Sequence, residues 1–269
     1  MNVDQLLAAA KNAVSVASSA EPLVLSKEWT QGRTGFGGIT AAMLVAAADT
    51  KVEDDKQLLS VSTNFVGPLL ANTPFSIEVE VLREGKNVIQ LMARAIQEQQ
   101  TVIVQQLCFG LPRPSTIAIE STVQHQLSAP EHDTFLTEHP ELAPAFIQNF
   151  DIDLRSGSEP FAGSEHSHLH GWMRFKQAPE SFGYPHVTCL VDAWPPTVLQ
   201  QFSQFTPCST ISWYLEFVQP QPTMKPEQWL AYQCHTNQGS DGYVHTQADI
   251  WNEAGELVAI SRQTVAVFG

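Results

Sequence analysis

The sequence predicts an α+β fold made of two similar halves, each a curved antiparallel sheet wrapped round one central helix. Three observations carry this. A pattern recurs: Asn64-Phe65-Val66-Gly67-Pro68 opens alternating segments that end at Phe109-Gly110, and Glu216-Phe217-Val218-Gln219-Pro220 opens another set that ends at Phe268-Gly269. A repeat of that size marks two copies of one structural unit packed together. The run Ile39 to Ala48 is apolar and small on every side, so it predicts a helix with no face for water. Phe75, Ile77, Val79 and Val81 alternate with Ser76, Glu78 and Glu80, the period of two that marks a strand with one buried face.

The remaining elements follow in order. Val3, Leu6, Leu7, Ala10 and Val14 share one helical face. Asp4 and Lys11-Asn12 interrupt the apolar run, so this segment fails as an export signal. Leu23 to Trp29 reads as a short strand. Thr34-Gly35-Phe36-Gly37-Gly38 leads into the buried helix. Glu84-Gly85-Lys86-Asn87 is a turn, and Val88 to Ile96 and Thr101 to Phe109 are strands. Residues 111–160 are rich in Pro, Ser, Glu and His and are long for a loop within one domain, with a short helix expected near 137–146. The division is a first unit at 1–115, a connector at 116–147 and a second unit at 148–269. In the second unit, Asn149 to Leu154 and His168 to Phe175 read as strands. Val187 to Phe205 contains a helix with Pro195-Pro196 near its start, where proline is tolerated. Ser209 to Val218, Trp229 to Thr236, Tyr243 to Trp251 and Leu257 to Phe268 are strands.

Composition narrows the function. The chain has 269 residues and a net charge of −14, with a pI near 4.9. A nucleic-acid binder needs a basic face, so that class is set aside. No apolar run approaches the roughly 20 residues that span a bilayer. The expectation is a cytoplasmic protein without a membrane partner. The four cysteines are scattered with no Cys-x-x-Cys pair and read as buried, reduced thiols.

Where two copies differ, chemistry is to be sought. The second copy holds Asp192, Thr210 and Gln263 where the first is mostly apolar or glycine; Leu58 aligns with Thr210. Plainer readings stand beside the functional one. Asp192, placed before a proline-started helix, suits an N-terminal cap. Thr210 is a good β-former, and Gln263 suits a solvated strand face. Gly37-Gly38 suits tight helix packing. His166, His168 and His170 alternate, so on a strand they share a face, and three imidazoles can bind zinc. No cysteine or second histidine pair supports that, and a polar strand is the simpler reading. Gly35-x-Gly37 lacks the third glycine of a dinucleotide loop, and there is no Gly-x-Ser-x-Gly elbow.

In combination, EWTQGRTGFGGITAAMLVAAA, FVGP and LREGKN in the first half, with DAWPP, TISWYLEFVQP and LVAISRQTVAVFG in the second, resemble the type II acyl-CoA thioesterases. The resemblance covers nearly the whole chain apart from the connector. It implies a tandem, or double, hotdog fold. It also implies hydrolysis of an acyl-CoA thioester to free acid and CoA, by a water held by an Asp, a Thr or Ser, and a Gln. Those positions match Asp192, Thr210 and Gln263. The family often carries an Asp-His pair after the threonine; this chain has Ser212-Trp213, and Ser209 beside Thr210 is a second candidate hydroxyl. Such hydrolysis needs no metal or organic cofactor. Its oxyanion calls for N–H donors, which the helix start at Gly37 and Gly38 can supply. Arg33, Arg83 and Lys86 are the cations considered for the CoA phosphates, and Trp194 and Phe36 for the acyl pocket. Pairs of hotdog units often assemble further, which leaves a homo-oligomer open. Two other readings are carried: a non-catalytic acyl-binding protein, and an acyl-CoA hydratase or dehydratase, for which His186 is the nearby imidazole.

Overall fold

The computed structural model describes residues 1–15, 22–135 and 143–269. Helix α1 (Val3–Ser15) is followed by a small hairpin of β1 (Thr30–Gln31) and β2 (Thr34–Gly35), and then by helix α2 (Gly37–Asp49). Four strands follow: β3 (Gln57–Phe65), β4 (Phe75–Glu84), β5 (Val88–Gln97) and β6 (Gln100–Gly110). The second half contains β7 (Phe150–Ser156), β8 (His168–Phe175), helix α3 (Tyr184–Val191), β9 (Cys208–Phe217), β10 (Leu230–Ser240), β11 (Tyr243–Trp251) and β12 (Leu257–Val267).

Ten strands form one antiparallel sheet in the order β4-β5-β6-β3-β9-β12-β11-β10-β8-β7. Its middle is the pairing of β3 with β9, from Ser60 opposite Glu216 to Asn64 opposite Ser212. The two halves therefore meet along backbone hydrogen bonds as well as through side chains.

Helix α2 fulfils the all-round apolar reading: every residue from Gly38 to Ala48 is buried. Small side chains let both α1 and α3 pack against it. Fully burying a residue such as Ile39 or Leu44 is worth about 1.5–3 kcal/mol, so this helix anchors the main core. A second, smaller core lies on the opposite face of the sheet, where Trp172, Trp229, Ala231 and Trp251 meet Leu127 of the connector. The connector is tied down there: the indoles of Trp172 and Trp251 donate to the carbonyls of Ser128 and Val123.

Two elements differ from expectation. Leu23 makes a single bridge to Phe75, and Lys27–Trp29 is a short 3-10 turn, so no strand fills 23–29. The second helix starts earlier than expected. Pro185 takes the first turn of α3 after Gly183, and the helix ends at Val191. Proline is tolerated in a first helical turn, but Pro185 is the one that uses this allowance. Pro195 and Pro196 instead discourage continuation, because residues before proline leave the α region. Pro196 then opens a 3-10 turn at Thr197–Gln201. The helix expected near 137–146 falls partly outside the described residues, and a 3-10 turn at Ala145–Asn149 follows them. None of the described helices is long and apolar enough to cross a membrane.

Candidate active site

The chain brings Asp192, Gln263, Thr210 and the start of α2 together. Asp192 is the residue just after α3, so it does not cap the start of a helix as the plainer reading held. The Nε2 of Gln263 donates to its Oδ1 at 2.8 Å. The Thr210 hydroxyl donates to the Oε1 of Gln263 at 3.2 Å. These two bonds fix which end of the glutamine amide faces which partner, since its oxygen only accepts and its nitrogen only donates. All three residues are half-buried.

Thr210 reaches this cluster because β9 is irregular. Strict alternation from buried Trp213 would send Thr210 to the outer face. The pairing of β9 with β12 shifts between Ser212 and Thr210, opposite Thr264 and Val265, leaving Ile211 as an extra residue. A bulge of this kind re-aims the side chains beyond it. Thr210 therefore falls on the same face as Trp213 and Gln263, while Ser209 is exposed. The first half has the same irregularity at Leu59, between Leu58 and Ser60 of β3. By that register, Thr210 corresponds to Leu58 and Gln263 to Leu107, both fully buried. The first half thus carries hydrocarbon where the second carries a hydroxyl and an amide.

Helix α2 meets the carboxylate end-on. A Cβ on Gly37 would lie 2.8 Å from Asp192 Oδ2 and 3.2 Å from the ring of Phe65. A Cβ on Gly38 would lie 2.7 Å from the carbonyl oxygen of Cys189 in α3 and 2.5 Å from Phe36. Only a residue without a side chain lets the helix tip come this close. Burial pushes the Asp192 carboxyl up to about 7, against smaller opposing effects of the Gln263 amide and the Gly38 N–H. The Gly38 N–H thus favours the ionised form of the carboxylate.

The other candidates differ in their surroundings. Phe36 is core, stacked on Phe146 with ring centres 4.0 Å apart, and Trp194 stacks on Tyr232 at 5.2 Å. Arg33, Arg83 and Lys86 are exposed. His186 lies near the start of α3 and turns its Nε2 to Asp4 at 3.4 Å. Six residues of helix separate it from Asp192, a rise of about 9 Å. Burial pushes the Cys208 thiol up to about 11 and that of Cys234 to about 12, so neither is a thiolate at neutral pH. Two neighbours escaped the sequence reading. Phe65 covers Gly37, and the buried Tyr232 has its hydroxyl pushed well up by burial first, then by Cys234 and last by Asp192. Phe65 opens the FVGP segment matched by FVQP at 217–220, which flagged the repeat but gave no hint of this contact.

Comparison with known proteins bears on the family and the fold. The model for the acyl-CoA thioesterase N-terminal domain matches residues 25–110, and that for the C-terminal domain matches 125–267. An acyl-CoA thioesterase 2 from Haemophilus influenzae is 22% identical over 260 residues, covering 86% of each chain. A hot dog fold protein of unknown function from Alicyclobacillus acidocaldarius superposes with a TM-score of 0.79 at 22% identity, over 97% of this chain and 98% of that one. An acyl-CoA thioesterase II from Mycobacterium marinum gives a TM-score of 0.69 at 17% identity, over 87% and 89% of the two chains. The fold is that of the hotdog proteins, and the chain belongs to the acyl-CoA thioesterase family.

Proposed function

We propose that this tandem hotdog hydrolyses acyl-CoA thioesters with a water held by Asp192, Gln263 and Thr210. The observation that carries the reading is the ordered chain of hydrogen bonds from Thr210 through Gln263 to Asp192, set against the N-terminal tip of α2. The water donates one proton toward the Oδ2 of Asp192. It is steadied by the second N–H of Gln263 and the Thr210 oxygen. As its oxygen attacks the thioester carbonyl carbon, Asp192 takes the proton. A carboxyl near pH 7 is a far better base than an ordinary aspartate, because proton transfer is best served by a pKa close to the working pH.

The tetrahedral oxyanion needs donors aimed at it. Gly37, in the first turn of α2, has an N–H without an intrahelical acceptor, and the helix dipole favours negative charge there. Collapse then breaks the C–S bond, and Asp192 returns its proton to the CoA sulfur. The products are a free acid and CoA thiol. No metal or organic cofactor enters these steps. The whole set comes from the second half and the tip of α2, which fits one site per chain.

The test is release of free CoA thiol from short, medium and long acyl-CoAs. Gln263→Ala and Thr210→Val are compared with the unaltered chain. We expect turnover on at least one chain length, with a drop of about 10²-fold for Gln263→Ala, the scale of losing one positioned polar group. No turnover across the panel, or full turnover in both variants, would overturn the assignment.

A further inference from the structure

The outer face of the second half carries histidines that the hydrolytic site does not use. His168 and His170 lie on one face of β8. The sheet register sets His235 of β10 directly opposite His168, and Gln233 opposite His170. The neighbouring strand adds Asp249, opposite Gln233. The rings of His168 and His170 have centres 4.8 Å apart, and those of His166 and His168 5.6 Å apart.

These spacings have chemical meaning. Two imidazoles bound to one tetrahedral ion through nitrogens at about 2.0–2.1 Å have ring centres about 5 Å apart. We propose that His168, His170 and His235 form a surface site for a late first-row divalent cation such as zinc, with His166 and Asp249 at its edge. Imidazole nitrogens suit such ions over magnesium or calcium, which take oxygen ligands.

Among the described residues no three such side chains already converge on one point, so the rings must turn to chelate. They have room to do so: His168 and His170 are half-exposed and His235 is exposed. The Nε2 of His168 sits 3.0 Å from the Ser156 hydroxyl, a contact that can orient the ring while its other nitrogen takes the ion. Neutral rings are the form that binds metal. The third histidine answers the lack of a supporting partner in the sequence, because β10 supplies it opposite His168, from a distant part of the chain.

The site is independent of thioester hydrolysis, and so is its test. Zinc chloride is titrated into the metal-free full chain by calorimetry at pH 7.5, beside a His168→Ala/His170→Ala variant and His235→Ala. Melting temperature in EDTA checks that the variants are folded. We expect one ion per chain with a Kd below about 100 µM, weakened at least about tenfold in each variant. An affinity weaker than that, or one unmoved by the variants, overturns the site.

Discussion

Asp192→Asn is expected to stop hydrolysis and to make the protein more stable, and the size of the second effect follows from the first. Burial lifts the carboxyl from its ordinary 3.8 to about 7. At 1.36 kcal/mol for each pKa unit, holding it ionised costs the folded state about 4 kcal/mol. The sign follows from linkage. A carboxyl raised in the folded state binds its proton more tightly there than in the unfolded chain. Its stabilising contribution is complete below pH 3.8 and is lost as pH rises to about 7. Asparagine is never ionised and keeps an acceptor for Gln263, so it escapes that loss. Urea unfolding at pH 8.5 should find the variant more stable by roughly 1–4 kcal/mol, with the gap closing toward pH 5. In the same pH range, CoA release by the unaltered enzyme should fall on the acid side with an apparent pKa near 7. That is about a tenfold loss of kcat/KM at pH 6. A rate that holds level down to pH 5, or an Asn variant less stable at pH 8.5, would refute the account of this carboxyl.

Further outcomes are expected. Gln263→Ala removes a hydrogen bond that favours the ionised carboxyl, so the acid limb of its residual pH–rate profile should move above that of the unaltered enzyme. Gly38→Ala drives a Cβ against the Cys189 carbonyl and Phe36; overpacking of this kind costs about 1–3 kcal/mol and should lower the urea midpoint. Gly37→Ala meets Asp192 and Phe65 instead and should reduce kcat more than stability. Leu107→Ala empties the silent half and should cost about 2–5 kcal/mol with little change in KM, measured by unfolding and steady-state kinetics.

Much of the fold was legible because strands advertise their period: β8 and β11 match their expected limits. The helix before Asp192 was misplaced because an apolar run flanked by two proline sites obeys one capping rule at either of them. Its true start is Tyr184, with Pro185 in the first turn, where α3 packs against α2. The residue types of the site were legible through their absence from the first copy. Their meeting was expected from the family resemblance and not from spacing, since Asp192 and Gln263 are 71 positions apart and Gly38 lies in the other half. The facing of Thr210 was invisible for another reason. It rests on one extra residue, Ile211, and nothing in an alternating pattern announces a skipped rung. The opposition of His235 and His168 likewise depends on a register that only the assembled sheet defines.

The join between β3 and β9 has a further consequence. Two identical chains meeting about a twofold axis must present the same groups twice, because symmetry copies every residue. Here the partners are covalently one, so each can specialise. Leucine at 58 and 107 keeps one side buried hydrocarbon, and that side can offset the cost of an awkward charge on the other. Titration with a tight-binding inhibitor should therefore saturate at a single equivalent per polypeptide.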